Sequence, residues 1–404
     1  MYNIRKNIFL LISLSFVIRL ISIYFFHDTR VDNEWGILLN NLIKFKTYSI
    51  YTFENSPIPS VLMPPLYAYF LYFVKIISLE KINFLILLIS IQIILSTVSI
   101  YIFYKINKKL FSEKINLINS YIFSFFPLNI YAAGQVSSIT LQIFLLLLFI
   151  LFLFLLSEKK TKKNFLIFSL ISGFLILIRG EFVLIYAITL LYLFLKNKVK
   201  LIHVIIIFTL TFLVASPYLI RNFIIFNQVI LVKSLGYNLW KGNNEFATVE
   251  GYEDINNTNF KNIKHKIEIL KKDIFYEINR DHIFLNEGIK NINENPLNYA
   301  VLFIKKTSSF YFFNIKSSYP NYYHLIHFIP AIIIGALSIP GLILGLKKKE
   351  FEFKFLIIYL FTTIIIFSLF FILPRYKLTI LPVQIMLLGC FVEYIFKKLN
   401  KNVV

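Results

Sequence analysis

Two carboxylates and four arginines are the residues whose type and placement could do chemistry. Asp32 and Glu34 follow directly on an apolar stretch, 7–26, in the segment HDTRVDNEWGILLNNLIKFKTYSIY from His27 to Tyr51. A carboxylate at the edge of a membrane-length segment can accept a proton from an attacking hydroxyl or amine. The spacing alone equally allows two solvated loop acids. Arg179, Arg221 and Arg375 stand in Ile178-Arg179-Gly180-Glu181, Ser216-Pro217-Tyr218-Leu219-Ile220-Arg221-Asn222 and Leu373-Pro374-Arg375-Tyr376, at the ends of apolar segments far apart in sequence. Guanidinium binds phosphate bidentately, so three of them on one face would hold a shared anion. Taken singly, each is as readily a snorkelling side chain or the partner of a nearby acid, as Arg179 with Glu181. Arg19 lies inside the first apolar stretch, where it is either the partner of a buried carboxylate or a further member of the anion site.

The elements that must position these groups are membrane helices. The 404 residues are 58% apolar and 16% charged, with a mean hydropathy of +0.71. An ordinary soluble domain carries about a quarter charged residues. The composition excludes a soluble enzyme, a disordered tail and a disulfide scaffold, and one cysteine, Cys390, permits no intrachain disulfide. It predicts an all-α polytopic membrane protein. Stretches of about 17–25 apolar residues span a bilayer, and ten candidates follow: 7–26, 83–104, 117–133, 139–156, 163–178, 181–195, 201–218, 325–346, 354–373 and 376–396. The first lacks a small-residue cleavage site and reads as a retained span.

Residues 63–78, MPPLYAYFLYFVKIIS, are apolar but short and opened by Pro64-Pro65. If they span, every later helix flips. If they lie along the interface with the N-terminus inside, the inner segments 1–6, 105–115, 157–163, 196–200, 347–354 and 397–404 hold 20 Lys/Arg against four acids. That is a strong positive-inside pattern. The prediction is therefore ten spans, both termini cytoplasmic, and 63–78 as a juxtamembrane or re-entrant helix. The net charge of +21 is then mostly a topology signal, and nucleic-acid binding does not follow from it. Three divisions result: an N-terminal bundle, 1–221, containing a first external loop, 27–82; an external loop domain, 222–323; and C-terminal spans, 324–404. The 222–323 segment is nearly neutral, with 12 Lys/Arg and 10 acids, and 262–294 has helical character ended by Asn295-Pro296. A loop of that length is usually functional.

Other signals are weak. His324 and His327 have no acidic companion and suit interface packing better than metal. Gly341 and Gly345 form GxxxG, most often a helix-packing face. Glu393 near the inner end of the last span suits pairing with a lysine. No Walker loop, GxGxxG or zinc motif is present, and no chain of buried carboxylates runs through the spans as in many proton-driven transporters.

Asp32-x-Glu34-Trp35, followed by Leu38, Leu42, Lys46-Thr47-Tyr48-Ser49 and Met63-Pro64-Pro65-Leu66-Tyr67, resembles the first loop of the polyprenyl-phosphate-sugar-dependent, type C membrane glycosyltransferases. These include bacterial relatives of the protein O-mannosyltransferases and the aminoarabinose transferase of lipid A. The block from Ser216 to Asn222, leading to Gly236-Tyr237-Asn238-Leu239-Trp240-Lys241-Gly242-Asn243-Asn244, is similar to the stretch after that family's middle spans. Pro374-Arg375-Tyr376-Lys377-Leu378 with Pro382 is similar to the block opening its last span, and Asn295-Pro296 followed by Lys305-Lys306 also fits. Two positions depart from the pattern. Ile139 stands where the family often has an acid, and Met63 replaces the lysine before the proline pair that typifies the aminoarabinose branch.

The resemblance implies an inverting transfer of a sugar from a polyprenyl-phosphate donor to a lipid, glycan or protein acceptor, at a site on the outer face of the plasma membrane. It implies Asp32 as general base, with Glu34 beside it. Arg221, and less directly Arg179, Arg375 and Arg19, would hold the lipid phosphate. Tyr67, Tyr237, Asn238, Trp240, Asn243 and Asn244 would meet the substrate or acceptor, since aromatic faces stack on sugars and amides bond their hydroxyls; a structural turn at 237–244 is the equal alternative. No cofactor is required, and a divalent metal near Asp32 and Glu34 stays open. Two rivals remain: a ligase or polymerase of lipid-linked glycans, and a non-enzymatic flippase or transporter of such lipids.

Overall fold

The computed structural model describes residues 2–78, 83–319 and 324–401. The described residues are almost wholly helical, with one two-residue hairpin. α1 (Tyr2–Phe26) leads to a first loop carrying α2 (Glu34–Phe45), the hairpin β1 (Thr52–Phe53) and β2 (Ser56–Pro57), and α3 (Pro65–Ile77). Then follow α4 (Phe84–Leu110), α5 (Glu113–Phe125), α6 (Pro127–Ala132), α7 (Ile139–Glu158), α8 (Lys162–Ile178), α9 (Phe182–Leu195) and α10 (Leu201–Phe226). A second polar region holds α11 (Leu235–Asn243), α12 (Lys261–Glu268), α13 (Tyr276–Glu294) and α14 (Pro296–Tyr311). The chain ends in α15 (Leu325–Lys347), α16 (Phe351–Ser368) and α17 (Lys377–Lys401).

Seven described helices are long and apolar enough to cross a membrane: α1, α4, α7, α10, α15, α16 and the helix ending the chain. Of the other three expected spans, 163–178 and 181–195 form α8 and α9, apolar but only 17 and 14 residues long. The third, 117–133, is not one helix. Pro127 has no N–H to bond the Phe123 carbonyl and its ring crowds the preceding turn, so α5 stops and α6 starts with Pro127 in its first turn. The Asn129 side-chain amide takes over the Phe123 carbonyl at 3.2 Å. α10 meets the same problem at Pro217 but runs on past residue 218, because the Ser216 hydroxyl bonds the orphaned Leu213 carbonyl at 2.9 Å.

α3 has 13 residues, about 20 Å at 1.5 Å per residue, against a hydrocarbon core of about 30 Å. Tyr67, Ala68, Leu71 and Val74 face the protein while Phe73, Ile76 and Ile77 are exposed, so the helix is apolar on two faces with different partners. The helical stretch expected over 262–294 is two helices, α12 and α13, and Pro296 ends the second and begins α14.

The lysine-rich segments meet at one end of the bundle. Lys109 pairs with Glu158 at 2.6 Å and Lys348 with Glu393 at 3.4 Å. Lys348 also lies over Phe111 and Phe353, Lys198 over Phe351 and Lys114 over Phe396. At the opposite end the first loop, the α6–α7 turn and the second polar region join. Between them α1, α10 and α15 turn Phe9, Leu213, Ile224 and Ile333 outward. Such a belt is a lipid-facing surface, and the chain is an integral membrane protein. Within the bundle Gly341 lets α15 lie directly on the Leu387 backbone of α17.

Two buried lysines, one within the second polar region and one from the last helix, hold that region's helices together. Lys306 of α14 donates to the Gly242 carbonyl at 2.7 Å and to Asn243 Oδ1 at 3.0 Å, capping the last turn of α11. Lys377 of α17 donates to the Tyr311 and Phe310 carbonyls, capping α14 in the same way, and Gln384 adds a bond to the Tyr311 carbonyl. A cation at a helix C-terminus answers both the unpaired carbonyls and the dipole.

Candidate active site

The first loop is anchored at both ends. At its start, the Asp28 N–H donates to the Gly134 carbonyl, its carboxylate accepts from the Val136 N–H at 2.6 Å, and Gln135 donates to the Phe26 carbonyl. Burial pushes the Asp28 carboxyl above its ordinary value, against the opposing Val136 bond. Asn33 then caps α2 by accepting from the Trp35 N–H, and its amide bonds the Val136 carbonyl. This fixes Asp32 and Glu34 at the mouth of the loop. Asp32 is 58% exposed and ion-paired with Arg30. Glu34 is exposed in the first turn of α2, where the helix dipole favours a negative charge.

At the loop's far end, Arg221 of α10 reaches into it. Its guanidinium donates to the Ser60 carbonyl at 2.8 Å, the Tyr48 carbonyl at 3.3 Å and the Asn222 side chain at 2.6 Å. The rings of Tyr48, Tyr218 and Phe226 lie within 6 Å of it. Arg221 forms no ion pair with a carboxylate among the described residues, so its charge is oriented but uncompensated. On the other side of the same Ser60–Val61 peptide sits Glu277 of α13, 2% exposed. One carboxyl oxygen, Oε2, accepts from Ser60 Oγ at 3.0 Å and the Val61 N–H at 2.8 Å, whereas Oε1 has no partner. Desolvation raises this carboxyl to about 7, against those hydrogen bonds and the charge of Arg280.

The other arginines divide. Arg179 lies at the same end, because Leu177 packs with Tyr218 and Leu66. Its charge is already met by Glu181 at 3.3 Å and Gln142 at 3.4 Å, and it stacks on Tyr376 at 4.5 Å. The nearby acid proposed as its partner from sequence is thus the one it has. Arg375 is half-buried beside the same Tyr376 ring and has no ion pair among the described residues. Arg19 has no carboxylate for a partner among the described residues, and its Nη2 makes no hydrogen bond. It is fully buried and bonds Ser96 Oγ, the Ser15 carbonyl and the Ser124 carbonyl, so it ties α1 to α4 and α5.

The expected sugar-contacting set is mostly structural. Tyr67 is enclosed, its ring edge-on to Trp35 and its hydroxyl on Gln92. Residues 235–243 form a helix rather than an open loop. Trp240 is wholly buried among Phe260, Phe284 and Tyr237. Asn243 donates to the Leu239 and Leu369 carbonyls, and Asn244 to those of Trp240 and Tyr252. These four residues have no free face for a ligand, which corrects their expected role. Tyr237 and Asn238 are half-buried, with the Tyr237 hydroxyl on Glu253. Among the described residues no three His, Cys, Asp or Glu side chains cluster as a metal site.

Sequence reasoning passed over Glu277, Ser60 and Asp28. Glu277 is one acid among ten in a polar region, and nothing local marks it as buried. Tyr48 and Lys306 stood within motifs noticed for other reasons.

Comparison with known proteins agrees with this geometry at the level of fold. Residues 62–220 match the dolichyl-phosphate-mannose-protein mannosyltransferase family. That segment holds the bundle from α3 to α10 but neither Asp32 nor Arg221, the latter by one residue. No curated protein matches in sequence. The oligosaccharyltransferase of Archaeoglobus fulgidus in its apo form is similar in structure, with a TM-score of 0.59 at 14% identity, over 99% of this chain and 51% of that one. ArnT of Cupriavidus metallidurans, solved with undecaprenyl phosphate bound, gives 0.55 at 12% identity, over 95% of this chain and 59% of that one. The A. fulgidus enzyme with zinc and sulfate gives 0.53 at 14% identity, over 97% and 50%. The chain spans between half and three-fifths of the length of these structures. It has the fold of the type C membrane glycosyltransferases, and residues 62–220 of its bundle match that one mannosyltransferase family.

Proposed function

We propose that this chain is an inverting membrane glycosyltransferase that takes a sugar from a polyprenyl-phosphate donor. One observation carries the reading: Arg221, an uncompensated guanidinium, is held by two carbonyls of the first loop in a chain of this fold. The ten-crossing path, with the lysine-rich end in the cytoplasm, puts that loop on the outer face, consistent with the positive-inside rule. α5 with α6, α8 and α9 then complete the crossings.

In this mechanism the donor's phosphodiester lies against Arg221, with Arg375, which has no ion pair among the described residues, as a further cation at the same end. Asp32 accepts the proton of an acceptor hydroxyl or amine as its oxygen or nitrogen attacks the anomeric carbon. The bond from that carbon to the phosphate oxygen breaks, and the electron pair leaves with the lipid phosphate, which gains a negative charge. Arg221 stabilises that charge more in the transition state than in the ground state. A single displacement inverts the anomeric centre.

The test is transfer in liposomes from a panel of radiolabelled polyprenyl-phosphate sugars, with membrane extract as acceptor. Asp32→Asn is expected to lose about 100- to 10,000-fold in rate while folding normally. Arg221→Ala is expected to lower kcat/KM about 10- to 100-fold, through both a weaker donor complex and a slower transfer step, the loss of a charge-assisted bond. Normal turnover by Asp32→Asn would move the base to Glu34. Lipid movement without release of label from any donor would replace the transferase by a flippase or transporter, and release only from lipid-linked oligosaccharides by a ligase.

A further inference from the structure

Glu277 is a deeply buried carboxyl at the Arg221 end of the first loop, and its bonding is lopsided. Oε2 takes both the Ser60 hydroxyl and the Val61 N–H, the Leu62 N–H also faces the carboxyl, and Oε1 makes no full hydrogen bond. The Tyr218 hydroxyl of α10 has only the Asn222 side chain near it and makes no full hydrogen bond, and it lies in the same group, with Tyr48 and Arg221. A buried polar atom left unpaired carries its full desolvation cost, so two of them beside a guanidinium that meets no carboxylate among the described residues describe a place built for an occupant. No cation bonds Glu277: Arg221 is spent on Ser60, Asn222 and Tyr48, and Arg280 on the Tyr51 hydroxyl. Buried with no ion pair among the described residues, and with Arg280 acting only from a distance, the carboxyl prefers its neutral form. With Oε2 committed as an acceptor, the proton belongs on Oε1, where it is a donor with nothing to donate to.

We propose that Glu277 is the second arm of the Arg221 anion site, its Oε1–H donating toward the bound phosphodiester, so that donor binding is linked to protonation of Glu277. This rests on the reading that the lipid phosphate lies at Arg221. An ionised Glu277 across the Ser60–Val61 peptide repels the headgroup, and a neutral one holds it. Anion binding therefore strengthens the proton's hold, and loss of the proton favours release. The elevated value near 7 puts this exchange at working pH. The groups facing Glu277 are Tyr48 and Tyr51 of the first loop, Tyr218 and Arg221 of α10, and Arg280 of its own helix. Phenols titrate near 10 and guanidinium groups above 12, and burial pushes Tyr48 and Tyr51 higher still. None of them mimics a transition near neutrality.

The experiment measures the Kd of a farnesyl-phosphoryl hexose for the full chain in nanodiscs from pH 5.5 to 8.5. A phosphodiester keeps one charge throughout that range, so the probe does not titrate. Wild type is expected to bind with constant affinity below about pH 6.5 and to weaken by about tenfold between pH 6.5 and 8.5. Glu277→Gln, which keeps an acceptor for Ser60 and Val61 and a donor toward the anion, is expected to bind equally at every pH. Calorimetry of wild type at pH 7.5, in buffers of different ionisation enthalpy, is expected to show net proton uptake on binding and needs no variant. A flat wild-type profile with no proton uptake, while Arg221→Ala still weakens binding at least tenfold, overturns the inference and leaves the Arg221 reading standing. Binding by Arg221→Ala as tight as wild type overturns that reading itself.

Discussion

Gly341 and Gly345 look equivalent in sequence, and the structure says that only one of them carries the α15–α17 contact. A Cβ at Gly341 would run into the Leu387 carbonyl, 2.5 Å from its carbon and 3.2 Å from the Leu388 nitrogen. These are backbone atoms of a packed helix, so relief requires the two helices to separate. A Cβ at Gly345 would meet only the ends of Leu387 and Ile357 side chains, at 3.4 and 3.5 Å, which is ordinary contact. Gly→Ala inside a helix gains about 0.5–1 kcal/mol of backbone entropy. Overpacking costs about 1–3 kcal/mol and more when backbone must move. Gly341→Ala is therefore expected to cost about 3 kcal/mol, and Gly345→Ala to be neutral or slightly stabilising. The single cysteine, Cys390, is buried in α17, so a thiol-reactive fluorophore reports thermal opening of this helix in detergent, with circular dichroism as an independent readout. Equal losses for the two variants, or no loss for Gly341→Ala, would refute the packing argument.

The ligand-free chain should also show the Glu277 linkage in its stability. A carboxyl near 7 in the folded state and near 4.5 when unfolded holds a proton that the unfolded chain has lost. Its contribution is complete below about pH 4.5 and disappears as pH rises to about 7, an expected loss of about 3 kcal/mol. Glu277→Gln should lack that part of the slope in thermal unfolding from pH 4.5 to 8, and identical slopes would contradict it. Lys306→Met leaves the Gly242 carbonyl and Asn243 Oδ1 without their donor and is expected to cost about 1–3 kcal/mol. Lys305→Met next to it, exposed, should cost nothing measurable, and limited proteolysis of the 235–311 region would separate the two.

The fold was legible where one physical rule acts over many residues. Apolar length gave the spanning helices, and lysine placement grouped segments that do meet at one end, as Lys109 with Glu158 and Lys348 with Phe111 make plain. Legibility failed where a single residue reverses the local rule. Pro127 breaks an apolar stretch that hydropathy reads as continuous. Ser216 lets α10 run past Pro217 where a proline alone argues for a stop. Both outcomes depend on which side chain reaches an orphaned carbonyl, and window averages do not contain that.

At the site, residue type announced the charges but not their partners, and the partners decide what each charge can do. Arg179 and Arg221 are indistinguishable in sequence, each an arginine at the end of an apolar helix. Glu181 two residues on neutralises the first, whereas the second meets only carbonyls and an amide. Those carbonyls come from Tyr48 and Ser60, more than 150 residues earlier, and they are available because Asp28 and Asn33 pin the loop's start to the α6–α7 turn. The same long-range fold buries Glu277, an acid in a polar stretch that sequence reads as solvated. The anion site proposed at Arg221 would thus be a property of the docked first loop. A variant that loosens the Asp28 anchor should weaken phosphate binding at Arg221 without touching it.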